Sequence, residues 1–261
     1  MIKEILEKIF KEKGWTEEQI VPLKQVKYNF FWINWVKTIW FNFKALPFKQ
    51  AIKIPFVLGY NTRINKVGVI KVEGRISPFM ISLGLIRLNT DSTSEKIVWS
   101  NKGIVLFHGR AKFHSGAKIN VRDGGFLSFG ERNVIGSCTK IVCTNRILIG
   151  RDFRMSWEGQ MFDTDFHFFT NMNTGKIHQR QKPIIIGNEV FIGNRCTIGK
   201  GVILPNGATV SCCSKVSGDF TNEGDLPLIV GNPAKVVKTG CKMGNSWFPQ
   251  IEKELAEKLE S

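Results

Sequence analysis

The 261-residue sequence predicts a mainly β fold, a three-sided parallel β-coil assembled from six-residue units. Three observations carry that expectation. Aliphatic residues fall at Ile186, Ile192, Ile198, Leu204, Val210 and Val216, six apart without a slip. Glycine follows the aliphatic residue at Gly187, Gly193 and Gly199, and a small or β-branched residue usually stands four places after it. A period of six matches neither the roughly 3.6-residue repeat of an amphipathic helix nor the alternation of a hairpin meander. If each hexad forms one short side and a turn, three hexads complete a coil and residues eighteen apart stack. Ile186 then lies over Leu204 and Ile192 over Val210, with aliphatic side chains filling the interior.

In chain order, residues 1–66 read as a basic, aromatic N-terminal extension. Ile2, Ile5, Leu6, Ile9 and Phe10 share one helical face, and Thr16 with Gln19 forms a capping-box pattern before Pro22. Lys24, Lys27, Lys37, Lys44, Lys49, Lys53, Arg63 and Lys66 have no acidic neighbour in their segment. Among them lie Tyr28, Phe30, Phe31, Trp32, Trp35, Trp40, Phe41, Phe43 and Phe48. Two readings stand for residues 28–56: a cap over the open apolar end of the coil, or a face lying on an anionic membrane surface.

Residues 67–240 read as the β-coil domain. A weaker hexad pattern runs through its first half, in the sets Phe107, Phe113, Ile119, then Ile135, Ile141, Ile147, then Ile149, Met155, Met161. Phase breaks near 120–134 and 147–149 predict bulges or irregular turns. A polar loop, 168–183, separates this half from the regular hexads. Residues 241–261 read as a C-terminal helix that starts at Pro249, with Ile251, Leu255 and Leu259 four apart and Glu254 placed to pair with Lys258.

Composition narrows the function classes. Charged residues make up 23% of the chain and mean hydropathy is -0.08, which argues against a disordered chain. No run of about 18 uncharged apolar residues occurs, which argues against a membrane bundle. Thirty-seven basic against 22 acidic residues give a formal charge of +15, so an anionic partner or substrate is expected. Glu4 and Glu7 interrupt any signal-peptide core, so a cytoplasmic protein is expected. The six cysteines show no C-x-x-C spacing and read as small residues in a reducing compartment.

The chemistry-bearing motif is Asp163-Thr-Asp165-Phe-His167, at the entrance to the one long loop. Loops on a rigid scaffold often carry function. An imidazole can accept a proton from a hydroxyl near neutral pH, and a carboxylate can fix its tautomer. Asp163 and Asp165 read equally as turn-formers or as orienters of that histidine. His108 and His114 are six apart, hence on successive sides of the prism, and His178 reads as a loop residue. Four scattered histidines do not make the three converging ligands of a zinc site, and no metal is expected.

At these residues the sequence resembles the hexapeptide-repeat acyltransferases, and more narrowly bacterial O-acetyltransferases that act on sugars and surface polysaccharides. The hexads, the pre-loop histidine and the closing Gly231-Asn-Pro-Ala-Lys235 carry the resemblance, over about residues 100–240. It implies a left-handed parallel β-helix, usually in homotrimers, with acetyl-CoA as co-substrate and a glycan or sugar precursor as acceptor. His167 matches the family's general base for direct attack on the thioester, without an acyl-enzyme. Phe191, Asn194, Cys212, Ser217 and Gly218 fall where the family holds the cofactor arm, and Lys235 and Lys238 where it places basic residues near the nucleotide phosphates. Phe191 replaces a tryptophan and so lacks the indole N–H. An asparagine that helps hold simple sugars in the family has no counterpart upstream of His167, which points away from a maltose-type or galactoside-type acceptor. The rivals are a non-catalytic β-coil scaffold and an anionic-surface binding module; no motif for nucleic-acid recognition is present.

Overall fold

The computed structural model describes residues 30–85, 95–243 and 257–259. The helix expected at 2–10, the capping box at Thr16 and most of the C-terminal helix lie outside the described residues; residues 257–259 are helical. The main body is a parallel β-helix with three sides. Nine strands, from Phe56–Leu58 to Ala234–Lys238, stack on the first side, seven, from Thr62–Lys66 to Lys215–Val216, on the second, and six, from Val69–Val72 to Ile203–Leu204, on the third.

The hexad register is observed as the sequence predicts. Ile186 pairs with Leu204, Ile192 with Val210 and Ile198 with Val216, each step being 18 residues. Glycine follows the inward residue because the next coil's backbone passes close. A Cβ on Gly187 would sit 2.6 Å from the Asn206 amide nitrogen, and one on Gly193 would sit 2.7 Å from that of Cys212. Upstream the steps are longer. Phe107 lies beside Phe129 after 22 residues, and Phe129 beside Ile149 after 20. The extra residues sit at corners such as Arg122–Gly125, where Gly124 has φ +77° and the Gly125 amide donates to the Arg122 carbonyl at 2.9 Å. These wider coils enclose a cluster of rings, Trp99, Phe107, Phe113 and Phe129, where the 18-residue coils enclose aliphatic side chains.

The coil begins earlier than the expected boundary at residue 67. Phe56–Leu58 and Thr62–Lys66 already pair in parallel with strands of the next coil, so only residues before Phe56 form the extension. Helix α1 (Trp35–Ala45) is capped by the Asn34 side chain, which accepts from the Lys37 amide at 2.9 Å, and it stops before Pro47. A short helix, α2 (Phe48–Ala51), follows. α1 closes the open end of the ladder with three buried side chains. Thr38 Oγ1 accepts from the Leu58 amide at 3.0 Å, and Asn42 Oδ1 accepts from the Phe56 amide at 3.0 Å while its Nδ2 donates to the Phe56 carbonyl at 2.9 Å. The first strand's outer edge is thereby satisfied rather than left as a pairing template. Phe41, fully buried, places its ring 5.2 Å from Phe56 and 6.2 Å from Trp99. The inner face of α1 is thus a cap, the first of the two readings.

Phe41→Ala removes the apolar plug of this cap. It is expected to cost about 3–5 kcal/mol of stability, read as a lowered midpoint in chemical denaturation.

Candidate active site

After Met155 and Met161 the register step rises to 37 residues, because Met155 pairs with Ile192 and Met161 with Ile198. The chain between leaves the corner joining the second and third sides and returns to it. This excursion, expected as a polar loop, is a β-hairpin: Phe169–Thr170 runs antiparallel to Ile177–His178, with Phe169 opposite His178. Its turn is held by Asn171, whose side-chain oxygen accepts from the amides of Asn173 and Thr174 at 2.9 and 3.1 Å.

The Asp163-Thr-Asp165-Phe-His167 element is the hinge between coil and hairpin. Asp163 is fully buried, and its carboxylate accepts from the Thr144 amide at 2.8 Å, the Thr144 hydroxyl at 2.9 Å and the Asn145 amide at 2.7 Å. Thr144 and Asn145 form the corner of the preceding coil. Gln181 Nε2 donates to Thr144 Oγ1 at 2.9 Å and the Lys182 amide to the Asp163 carbonyl at 3.1 Å, so both ends of the excursion are tied to one corner. Phe166 adopts φ +63°, with its amide donating to Thr164 Oγ1 at 3.0 Å and its ring 6.1 Å from Phe162 and 5.4 Å from the Arg122 guanidinium. Asp165 is ion-paired to Lys200, and its amide donates to the Arg180 carbonyl at 3.0 Å. Lys200, at the same corner one coil further along, also donates to the Gln179 carbonyl.

His167 follows this turn and is exposed. It makes no hydrogen bond or ion pair with any described residue. The two aspartates instead tie the hinge to neighbouring coils. Asp163 spends its lone pairs on residues 144–145 and Asp165 faces Lys200, so neither carboxylate is hydrogen-bonded to the histidine. The turn itself sets where His167 stands.

The remaining candidates divide between places on the coil. Ser217 and Gly218 occupy the same corner as the hairpin, where the Gly199 amide donates to the Val216 carbonyl at 3.1 Å and the Ile203 amide to the Gly218 carbonyl at 3.1 Å. Asn194 and Cys212 stack at the other end of the second side, the Asn194 carbonyl accepting from the Cys213 amide at 2.9 Å. There Glu158, Arg195 and Cys213 repeat a left-handed backbone, φ +57°, +56° and +58°, and Arg195 pairs with Glu158 at 2.6 Å. Phe191 is half-buried on the first side, paired with Arg154 and Thr209. Lys235 and Lys238 are exposed on the last strand, which folds back antiparallel on Leu228–Gly231. Within one chain, therefore, the hairpin corner holds His167, Ser217 and Gly218, while Asn194 and Cys212 sit one side away.

Sequence reasoning missed Lys200, Thr144, Gln181 and Arg180. Lys200 is an ordinary residue of the hexad series, and its partner Asp165 is separated from it by the whole hairpin, so no local pattern marks the pair.

Asp163→Asn turns an acceptor into a donor facing backbone N–H groups. It is expected to cost roughly 3 kcal/mol, visible as lost thermal stability. The cysteines offer a second check. Burial, then the charge of Asp163, pushes the Cys143 thiol up, and burial does the same to Cys196, whereas Cys212 and Cys213 are exposed. An uncharged maleimide is expected to label Cys212 and Cys213 in the folded protein and Cys143 and Cys196 only after denaturation, as read by peptide mass spectrometry.

No family model matches the chain. A curated relative, the putative lipopolysaccharide biosynthesis O-acetyl transferase WbbJ of Escherichia coli (strain K12), is 23% identical over 177 residues, covering 59% of this chain and 88% of the relative. Solved structures similar to it include the polySia-specific acetyltransferase NeuO, with 20% identity, TM-score 0.47, and coverage of 77% of this chain and 93% of that one. Another is AntD, an N-acyltransferase from Bacillus cereus in complex with dTDP and 3-hydroxybutyryl-CoA, with 14% identity, TM-score 0.41, and coverage of 79% and 89%. Its hexad-built three-sided coil with one interrupting hairpin has the architecture that the resemblance to the hexapeptide-repeat acyltransferases implies, and its likeness to WbbJ extends over most of that relative's length.

Proposed function

We propose that this protein transfers an acetyl group from acetyl-CoA to a hydroxyl of a sugar or surface-polysaccharide precursor, with His167 as general base. The observation that carries the reading is the state of His167: an exposed imidazole with no partner among the described residues, held on a turn anchored to the coil at Thr144, Asn145 and Lys200. The O-acetyl transfer named for WbbJ supports the reaction class.

In this reading the imidazole accepts the acceptor's hydroxyl proton as that oxygen attacks the thioester carbonyl. The new C–O bond forms, the C–S bond breaks, and the proton passes from the imidazolium to the departing CoA sulfur. A backbone N–H of the neighbouring coil stabilises the intermediate oxyanion. No covalent enzyme intermediate is required, so the exposed thiols of Cys212 and Cys213 take no part as nucleophiles.

The residues present fit the donor in kind. Lys235 and Lys238 are exposed cations for its phosphates, and the coil corners at Asn194, Cys212, Ser217 and Gly218 offer backbone groups for the pantetheine arm. Phe191 offers an aromatic face. The split between the His167 corner and the Asn194–Cys212 corner favours a homotrimer, in which one copy's donor groove lies beside the next copy's histidine. The reaction belongs in the cytoplasm, where acetyl-CoA is supplied.

His167→Ala is expected to lower kcat by about 10²–10⁴ while melting temperature and CoA binding by calorimetry stay at the parent values. Full activity in that variant removes His167 from the role of base. If the parent protein binds no CoA, the chain is a non-catalytic scaffold instead.

A further inference from the structure

The end of the molecule covered by α1 carries more apolar surface than capping requires. While Thr38, Phe41 and Asn42 face the coil, Val36, Ile39, Trp40 and Phe43 are exposed at i, i+3, i+4 and i+7, Val36 to 82%. A helix apolar on both faces is ordinarily enclosed on both. The exposed set continues through Phe31, 89% exposed, and Phe48 and Ile52, with the Phe43 and Phe48 rings 5.9 Å apart.

Charge accompanies it. From Phe30 to Val72 the chain has seven Lys and Arg residues and no Asp or Glu. A groove of about 890 Å³ between α1 and the strand Thr62–Lys66 is lined by Trp35, Trp40 and Tyr60 together with the cations Lys37, Arg63 and Lys96. Lys37 Nζ donates to the Thr62 carbonyl at 2.6 Å. Burial, and then the charge of Lys96, holds its ammonium below the usual lysine range. Among the described residues no carboxylate lines the groove to offset these charges.

We propose that this face docks on an anionic phospholipid surface, with the outer rings of α1 and Phe48 in the interfacial layer and the flanking lysines against the headgroup phosphates. Amphipathic rings beside long cationic side chains suit that boundary. The acid-free segment supplies the complementary charge. A second copy would bring the same positive charge and be repelled. A nucleic acid would engage the cations but leave Phe31, Val36 and Phe48 in water. The hairpin corner bearing His167 begins four strands along the second side from Thr62–Lys66, about 19 Å at roughly 4.8 Å per strand. Docking would therefore leave the catalytic corner clear of the covered face.

Flotation of the intact chain with vesicles tests this, using phosphatidylcholine alone or mixed with phosphatidylglycerol. Co-flotation is expected only with the anionic mixture and is expected to fall with added salt. Replacing Lys44, Lys49 and Lys53 together by Gln is expected to weaken partitioning about a hundredfold. The double variant Trp40→Gln, Phe43→Gln is expected to weaken it at least tenfold, with melting temperature and transfer to a water-soluble acceptor unchanged. Three results would overturn the proposal: equal flotation with neutral vesicles, undiminished flotation of both variants, or no flotation of the parent. If the parent fails to float and the double variant alters the oligomer mass by light scattering, the face is a contact between copies. If the parent instead binds DNA or an acidic polysaccharide, the partner is that polymer.

Discussion

Strands in this coil are only two to five residues long, so no single ladder rung is stable by itself. Each is held because the strand above and below repeats its register, and the inward side chain then falls on its counterpart. That stacking constraint governs everything else the chain does. A residue added within a side would turn the inward column outward unless a bulge absorbs it, as between Ile64 and Lys66, so longer additions leave at a corner. The steps of 22, 20 and 18 residues obey it. So does the step of 37, which returns the chain to register with Met161 beside Ile198.

The same constraint explains how an exposed histidine can be held in place. An excursion of this length is loose unless its two ends are fixed, and Asp163 fixes them by accepting hydrogen bonds from the corner below. Lys200 on the coil above reaches Asp165 and the Gln179 carbonyl. The hairpin is thus clamped between successive coils, and His167 inherits its place from carboxylates that are not hydrogen-bonded to it. A rigid repeat supplies the position, and a single interruption carries the histidine proposed as base.

A parallel coil also has two ends, and each must be closed. At one, Thr38 and Asn42 satisfy the free edge of Phe56–Leu58 while Phe41 fills the apolar cross-section. At the other, the antiparallel turn-back of Ala234–Lys238 covers the last strand of the first side. The amino-terminal closure combines a buried inner face with an exposed apolar outer face. The two sequence readings of this segment, cap and surface contact, therefore concern different faces of one helix and do not compete.

The hexads made the fold legible, because inward positions recur at a fixed spacing and Gly187 and Gly193 mark where neighbouring backbones approach. His167 was legible as the residue standing where the repeat stops. The start of the coil was not, since Phe56–Leu58 lies within an aromatic run whose inward and outward residues look alike until α1 is placed over them. Nor were the roles of Asp163 and Asp165, because the partners that claim them, Thr144 and Lys200, are distant in sequence and adjacent only across coils. What the sequence by itself determined was the period, the inward column and the point of interruption, all of which depend on local spacing. Only the tertiary structure decided what each corner faces, since a corner's neighbours come from the coils above and below it, a whole turn away along the chain.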